Sequence, residues 1–191
     1  MVIKEIFKEN KGYLLSREIR GKRNLYYELK QLIDRGVVVQ MKRGLYKYPE
    51  YATRNHWQEV SLMYPDAVVF LFSAFAYYNL STYMPPVAHL AIKRGGKIKT
   101  SRYLPAKIHH LSTDFFSKHI TNKNDVKIYS LERTVCDAIK YEKQVGTDIM
   151  MEVIKNYYKS KKCNLSLLSM ISNEIKIEKR TKEIIQLITS I

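Results

Sequence analysis

The spacing of apolar positions divides the chain into short stretches of helical and extended period. Ile3, Ile6 and Phe7 stand at i, i+3 and i+4, which predicts an amphipathic helix that Asn10-Lys11-Gly12 ends. Tyr13-Leu14-Leu15 reads as a short extended link, and Ser16 as the N-cap of a brief helix over 17–20 closed by Gly21. Leu25, Leu29, Leu32 and Ile33 fall at i, i+4, i+7 and i+8, one face of a longer helix that Asn24 caps and Gly36 stops. Two β-rich runs, 37–41 and 45–48, flank Lys42-Arg43-Gly44, a hairpin turn with glycine where φ > 0 is expected.

After Pro49-Glu50, Asn55-His56-Trp57-Gln58 has the form of a capping box that opens a helix to about Tyr64. Pro65-Asp66 is a turn, 67–72 a buried strand, and 73–80 a short helix with Ser73 as its N-cap. Further strands are predicted over 89–92, 106–111 and 126–129, with Lys93-Arg94-Gly95-Gly96-Lys97 breaking the chain between the first two. Four helices follow, over 131–142, 147–158, 165–174 and 177–188; the last two have the apolar spacing of a docked helical hairpin. The expected class is α+β: an N-terminal winged helix-turn-helix over 1–50, then a mixed α/β domain over 51–191 that ends in helices.

Helix, short helix, longer helix and β-hairpin is the order of a winged helix-turn-helix. In that geometry the third helix enters the major groove and the hairpin tip reaches a neighbouring phosphate or the minor groove. The four apolar residues of the third helix cluster within about 100° of its wheel. The opposite face carries Arg23, Tyr27, Lys30, Gln31 and Asp34. Arg23 and Lys30 suit phosphates, while Asn24, Tyr27 and Gln31 suit base edges or backbone. Arg17, Lys42 and Arg43 complete the expected DNA-binding set. Asp34 would be repelled by phosphate, so contact is expected through the first two turns.

Composition widens this picture without changing it. The chain has 191 residues, with 46% apolar and 12% aromatic, enough for a sizeable core and against wholesale disorder. Thirty-three Lys and Arg against eighteen Asp and Glu leave a formal +15, which predicts a polyanionic partner. The excess is uneven: residues 1–49 carry +7, residues 88–127 another +7, and the hydrophobic stretch 50–87 between them −2. The second block supplies a further candidate basic face of Lys93, Arg94, Lys97, Lys99, Arg102 and Lys107. It would extend the DNA footprint or bind RNA or a nucleotide. Cys136 and Cys163 cannot make a disulfide framework and suit a reducing compartment. The start is amphipathic rather than a signal peptide, and the longest apolar run, 67–76, is far below the roughly 20 residues that span a bilayer. A cytoplasmic protein without a membrane span is expected.

Signals for catalysis are weak. The five histidines, at 56, 89, 109, 110 and 119, have no metal-ligand spacing, so no metal and no cofactor are expected. Gly96-Lys97 lacks the earlier glycine and following Ser or Thr of a phosphate-binding loop. Glu132 suits a helix N-terminus, and Arg133 with Asp137 an i, i+4 pair on the core face beside Val135 and Ile139. Cys136 is expected to be an inert, partly buried thiol. A nuclease or nucleotidyltransferase would need clustered carboxylates for Mg²⁺, which the sequence does not offer; a non-enzyme is expected. A protein-interaction module with a vestigial winged helix is a third possibility.

Several stretches, in order, resemble the AbiEi family, antitoxins of the AbiE abortive-infection (type IV toxin–antitoxin) systems of phage defence. They are Lys42-Arg43-Gly44-Leu45-Tyr46-Lys47 followed by Pro49, the Ser-Ala-aromatic-Ala helix from Ser73 to Leu80, and the strand running into Lys93-Arg94-Gly95. Tyr129-Ser130-Leu131-Glu132-Arg133-Thr134-Val135-Cys136-Asp137 and Gly146-Thr147-Asp148 complete them. Together they cover about residues 13 to 175. Asn79 stands where the family has glycine; asparagine tolerates the left-handed conformation. The resemblance implies a cytosolic, two-domain antitoxin whose winged helix represses its own operon by binding inverted repeats in promoter DNA. It also implies that the C-terminal domain counters a nucleotidyltransferase-like toxin, or protects its RNA or nucleotide target, without a stable complex.

Overall fold

A computed structural model describes residues 2–189; the outer ends of the two expected domains, residues 1 and 191, lie outside the described residues. The chain is α+β and forms two compact units. The first runs to Met63 and also takes in Lys99–Pro105, so it continues past the expected boundary at residue 50; the second comprises Tyr64–Ile98 and the chain from Ala106 onward.

In the first unit α1 (Val2–Glu9) buries Ile3 and Phe7, and β1 (Tyr13–Leu15) follows. The chain can pass close to itself here because residue 12 is glycine. A Cβ on Gly12 would lie 2.4 Å from the Ala52 nitrogen. Ser16–Ile19 is a single 3₁₀ turn, and α2 (Arg23–Asp34) buries Leu25, Leu29 and Leu32. Gly36 and Val37 close α2 by donating to the carbonyls of Ile33 (2.8 Å) and Leu32 (2.9 Å), the 5→2 and 6→1 bonds that satisfy orphan C-terminal acceptors. β2 (Val39–Lys42) and β3 (Leu45–Lys47) form the hairpin, and β1 pairs with β3, giving a three-stranded antiparallel sheet in the order β1-β3-β2. A second 3₁₀ turn, Pro49–Tyr51, leads toward α3 (His56–Met63). The capping box forms as expected: Gln58 N–H donates to Asn55 Oδ1 and Asn55 N–H to Gln58 Oε1, both at 3.0 Å. Glu59 on α3 accepts from the Tyr13 hydroxyl (2.5 Å) and from the Lys47 ammonium, so one nearly buried carboxylate fastens α3 to β1 and β3.

Two capping expectations in the first unit fail. Ser16 and Asn24 make no cap: the N-cap positions are Leu15 and Lys22, neither with a side-chain bond to the helix. Glu18 reaches back to the Leu15 amide (2.7 Å), while the Ser16 N–H donates to the Gly44 carbonyl (2.9 Å) and so ties the hairpin turn to the 3₁₀ segment.

The second unit holds a five-stranded mixed sheet, β6-β5-β4-β8-β7. β4 is only Val68–Val69, shorter than expected, because Leu71 turns to φ +43 and starts α4 (Phe72–Tyr77). Ser73 lies inside that helix rather than capping it, and its hydroxyl accepts from the His89 amide (2.8 Å) on β5 (Ala88–Lys93). Asn79, just after α4, has φ +55, the left-handed conformation expected of it. β6 (Ala106–Leu111) pairs in parallel with β5. α5 (Thr113–Ser117) and β7 (Ile120–Lys123), neither predicted, precede β8 (Val126–Tyr129). The helices are α6 (Leu131–Lys140), α7 (Glu142–Val145), α8 (Thr147–Lys159), α9 (Leu165–Glu174) and α10 (Glu178–Thr189). The expected helix 131–142 is thus two, broken at Tyr141. Among the described residues no helix is long and apolar enough to cross a membrane.

α6 is buried from Glu132 to Ile139 despite its charged residues. Arg133 is fully buried. Its Nε donates to Asp137 Oδ1 (2.9 Å), and its two terminal nitrogens donate to the carbonyls of Lys118 (3.2 Å) and Phe115 (3.1 Å). The guanidinium also lies 3.8 Å from the Phe115 ring centroid. This is the core-face i, i+4 pair expected from the sequence, with the main-chain partners added. A lysine has no fork to reach three acceptors. Removing one member of a buried ion pair costs about 3–5 kcal/mol. Arg133→Ala is therefore expected to lower stability by about that amount, and Arg133→Lys by at least about 2 kcal/mol, in urea unfolding followed by circular dichroism. An Arg133→Lys protein as stable as the parent would show that the carbonyl contacts contribute little.

Candidate nucleic-acid interface

α2 is amphipathic in the strict sense: Leu25, Leu29 and Leu32 face the first unit's core, and Arg23, Asn24, Tyr27, Lys30 and Asp34 are exposed on the other side. Gln31 is half-buried at the edge of that face. Tyr27 is 66% exposed, an unusual position for a large aromatic ring without a partner in the fold. From Arg23 to Lys30 the face runs about 10 Å along the axis. Asp34 lies at the far end of the helix, and the half-buried Glu28 in the second turn accepts from the Ile3 amide (3.4 Å), so the first turn presents cations and hydrogen-bonding groups without a carboxylate of its own.

The approach to the helix is also basic. Arg17, Arg20, Lys22 and Arg23 are all exposed around its N-terminus, and its first turn contains no acid. The N-terminal end of a helix carries positive partial charge, so these cations repel it and one another unless an anion sits there. Arg20 and Lys22 escaped the sequence reading, although the run Arg17-x-x-Arg20-x-Lys22-Arg23 is legible as a charge cluster. Tyr26 orients this region by donating its hydroxyl to the Ser16 carbonyl (3.1 Å).

At the hairpin the expected pair divides. Arg43 is exposed at the turn. Gly44 beside it has φ +79 and lies against Ser16, whose hydroxyl oxygen would be 3.2 Å from an added Cβ. The Ser16–Gly44 bond therefore brings Arg17 and Arg43, their sequence neighbours, to one end of the unit. Lys42, by contrast, is half-buried and donates its ammonium to the Met63 carbonyl. It serves the fold, because the strand bulge between Gln40 and Lys42 turns it inward.

The second basic block is divided between the two units. Lys99 and Arg102 belong to the first unit, where Ser101 Oγ donates to the Met41 carbonyl (2.6 Å) on β2. Lys93, Arg94, Lys97 and Lys107 belong to the second. Of these, Lys107 pairs with His89 near the start of the parallel strands, four residues before Lys93, about 13 Å at roughly 3.3 Å per residue. Lys93, Arg94 and Lys97 remain as an exposed cluster around the turn after β5.

Among the described residues no three of His, Cys, Asp and Glu converge as metal ligands. Cys136 is buried, with its thiol pushed up by that burial and its Sγ 3.8 Å from the Leu168 carbonyl. Glu132 is nearly buried and lies 3.4 Å from the Tyr157 hydroxyl. In comparison with known proteins, no family model matches the chain and no curated protein matches it.

His89 and His109, which show no metal-ligand spacing in the sequence, stack on the adjacent strands β5 and β6 with His109 Nε2 3.1 Å from His89 Nδ1. One nitrogen must donate and the other accept, and protonating both rings would set two cations in contact. Burial, with Lys107 nearby and each imidazole beside another, holds both at about 4 rather than 6.5. As pH falls below about 6.5 the unfolded chain takes up these protons first. Their contribution to stability is full above that pH and lost as pH falls toward 4, by up to about 1.4 kcal/mol per pH unit for each proton. A His89→Gln/His109→Gln protein is expected to show a shallower decline of urea midpoint between pH 6.5 and 4.5. Parallel declines in parent and variant would show that the pair does not titrate on unfolding.

Proposed function

We propose that the chain is a DNA-binding transcriptional regulator of the antitoxin type. In this reading the first unit is a winged helix-turn-helix: α1, the 3₁₀ turn Ser16–Ile19 in place of the second helix, α2 as the recognition helix, and the β2–β3 hairpin as the wing. The observation that carries it is the exposed face of α2, with Arg23, Asn24, Tyr27 and Lys30 directly opposite three buried leucines. Arg17, Arg20, Lys22 and Arg43 add phosphate contacts on the same unit, and the missing acid in the first helical turn favours an anion there. The antitoxin part rests on the resemblance to the AbiEi family. The second unit would counter a nucleotidyltransferase-like toxin in the cytosol, and the first would repress the shared operon through inverted repeats.

The test is binding of the full chain to its own upstream DNA across a salt series. With about 6–8 phosphates neutralised, log K is expected to fall against log[salt] with a slope of roughly −5 to −7. Arg23→Ala, Lys30→Ala and Arg43→Ala should weaken binding to all sequences alike, whereas Asn24→Ala should relax preference at one base step. Lys42→Ala should leave the salt slope unchanged, because its ammonium is held by the Met63 carbonyl. Binding indifferent to salt between 50 and 200 mM, or a silent Arg23 and Arg43, would overturn the DNA reading.

The antitoxin reading has its own test. Lys93, Arg94 and Lys97 are exposed, so their replacement together by Glu should leave the protein folded, at less than about 0.5 kcal/mol each. The triple variant is expected to lose protection against a co-expressed toxin from the same operon while still binding promoter DNA. Full protection by a folded triple variant would show that this cluster plays no part in neutralisation.

A further inference from the structure

A cleft of about 400 Å³ opens in the second unit between the end of α4, the end of β7 and the C-terminal part of α8. Small-molecule sites commonly have roughly 300–1,000 Å³. Two tyrosines form one wall. Tyr78 is fixed by donating to the Tyr129 carbonyl (2.7 Å), and Tyr77 donates to the Lys123 carbonyl (3.3 Å); their rings meet edge to face at 5.1 Å. Asn156 is fixed from the other side, its Nδ2 donating to the Leu80 carbonyl (3.0 Å), which leaves Oδ1 as an acceptor. Lys123 and Lys162 line the same cleft. Both are exposed, and neither ammonium has an ion-pair or hydrogen-bond partner among the described residues. No Asp or Glu lines it.

Each of these features narrows the ligand. Two cations at one cleft without a carboxylate raise the local potential and select an anion. A pre-positioned aromatic wall selects a planar ring beside that anion, and a fixed amide acceptor selects a ring that donates a hydrogen bond. Inorganic phosphate would use the lysines and leave the wall and the amide idle. We propose that this cleft binds a nucleoside phosphate, its phosphate on Lys123 and Lys162 and its base against Tyr77 and Asn156. The source is either a free nucleotide or the 5′-terminal nucleotide of an RNA strand. The site lies wholly in the second unit and does not rest on the DNA-binding reading of the first.

The test is calorimetric titration of the full chain, at a salt concentration that suppresses non-specific binding. The probes are the four nucleoside 5′-monophosphates, inorganic phosphate, and a hexaribonucleotide with either a 5′-phosphate or a 5′-hydroxyl. At least one monophosphate is expected to bind at one site per chain and more tightly than inorganic phosphate. Lys123→Ala/Lys162→Ala should weaken it about tenfold or more. Tyr77→Leu should weaken it about fivefold or more, while Tyr77→Phe keeps the ring and stays near the parent. The lysine variant changes only exposed side chains, so it remains informative if Tyr77→Leu is poorly folded. A 5′-phosphorylated hexamer that binds better than both its 5′-hydroxyl form and the monophosphates identifies an RNA end as the source. Monophosphates that bind as well as the hexamer identify the free nucleotide. No binding by any monophosphate or by the phosphorylated hexamer overturns the proposal, as does inorganic phosphate binding equally well or an unaltered affinity in the lysine variant.

Discussion

The second unit depends on one guanidinium. Arg133 has no exposed surface, yet its charge is met on every side: the Asp137 carboxylate one turn along α6, the carbonyls of Phe115 and Lys118 on and just after α5, and the faces of Phe115 and Tyr129. A charge is stable at such depth only where the surrounding dipoles are already in place. Those dipoles come from segment 113–118, whose Phe115 and Phe116 pack partly buried against the core. Arg133 takes its carbonyls, which lets α6 be buried despite the charge. The arrangement is not free of cost. Asp137 Oδ2 has no hydrogen-bond partner among the described residues, and burial pushes this carboxyl up to about 6 against the pull of Arg133.

This dependence explains which elements were legible in the sequence. Stretches whose side chains answer to a local period came through: Leu25, Leu29 and Leu32 on α2, the Asn55–Gln58 box, β6, β8, and α9 at its observed bounds. β7 did not, although its partner β8 is local across the two-residue turn Asn124-Asp125, because Ile120-Thr121-Asn122-Lys123 offers only one large apolar side chain to the period. α5 did not because its partner is remote: it answers to Arg133 on a later helix. Short polar side chains misled for the same reason. Ser73 looks like a cap in sequence, but its hydroxyl is taken by the His89 amide on a strand sixteen residues away. Ser16 is engaged through its backbone at Gly44, twenty-eight residues on, which no local rule anticipates.

The candidate interface was legible in outline and wrong in particulars. The polar face of α2 needs only helical period to be read, and it emerges with Arg23, Asn24, Tyr27 and Lys30 exposed. Lys42 and Arg43 are adjacent in sequence and equivalent in composition, yet a strand bulge sends one inward and leaves the other at the tip. The block 93–107 is continuous along the chain, but the return of Lys99–Pro105 to the first unit divides it between the two units. One tie is the side-chain bond from Ser101 to the Met41 carbonyl, between residues sixty apart.

Net charge is therefore a poor guide to where a polyanion would sit, and the fate of individual cations a better one. Lys47 is held by Glu59, Lys42 by the Met63 carbonyl, Arg133 by Asp137 and two carbonyls, and Lys140 reaches the Ile175 carbonyl over the Phe115 ring. These cations contribute to the formal +15 but are committed to the fold. The exposed ones fall into small groups with different surroundings. Those around the N-terminus of α2 share their surface with a helix end and with the exposed hydrogen-bonding side chains of Asn24 and Tyr27, which suits an extended polyanion. Lys93, Arg94 and Lys97 stand exposed around the turn after β5. Lys123 and Lys162 instead border a cleft with aromatic and amide walls, which suits a ligand with both a charge and a face. The same residue type thus serves cohesion and three distinct kinds of surface, and what separates them is the neighbour each side chain meets, not the number of charges along the chain.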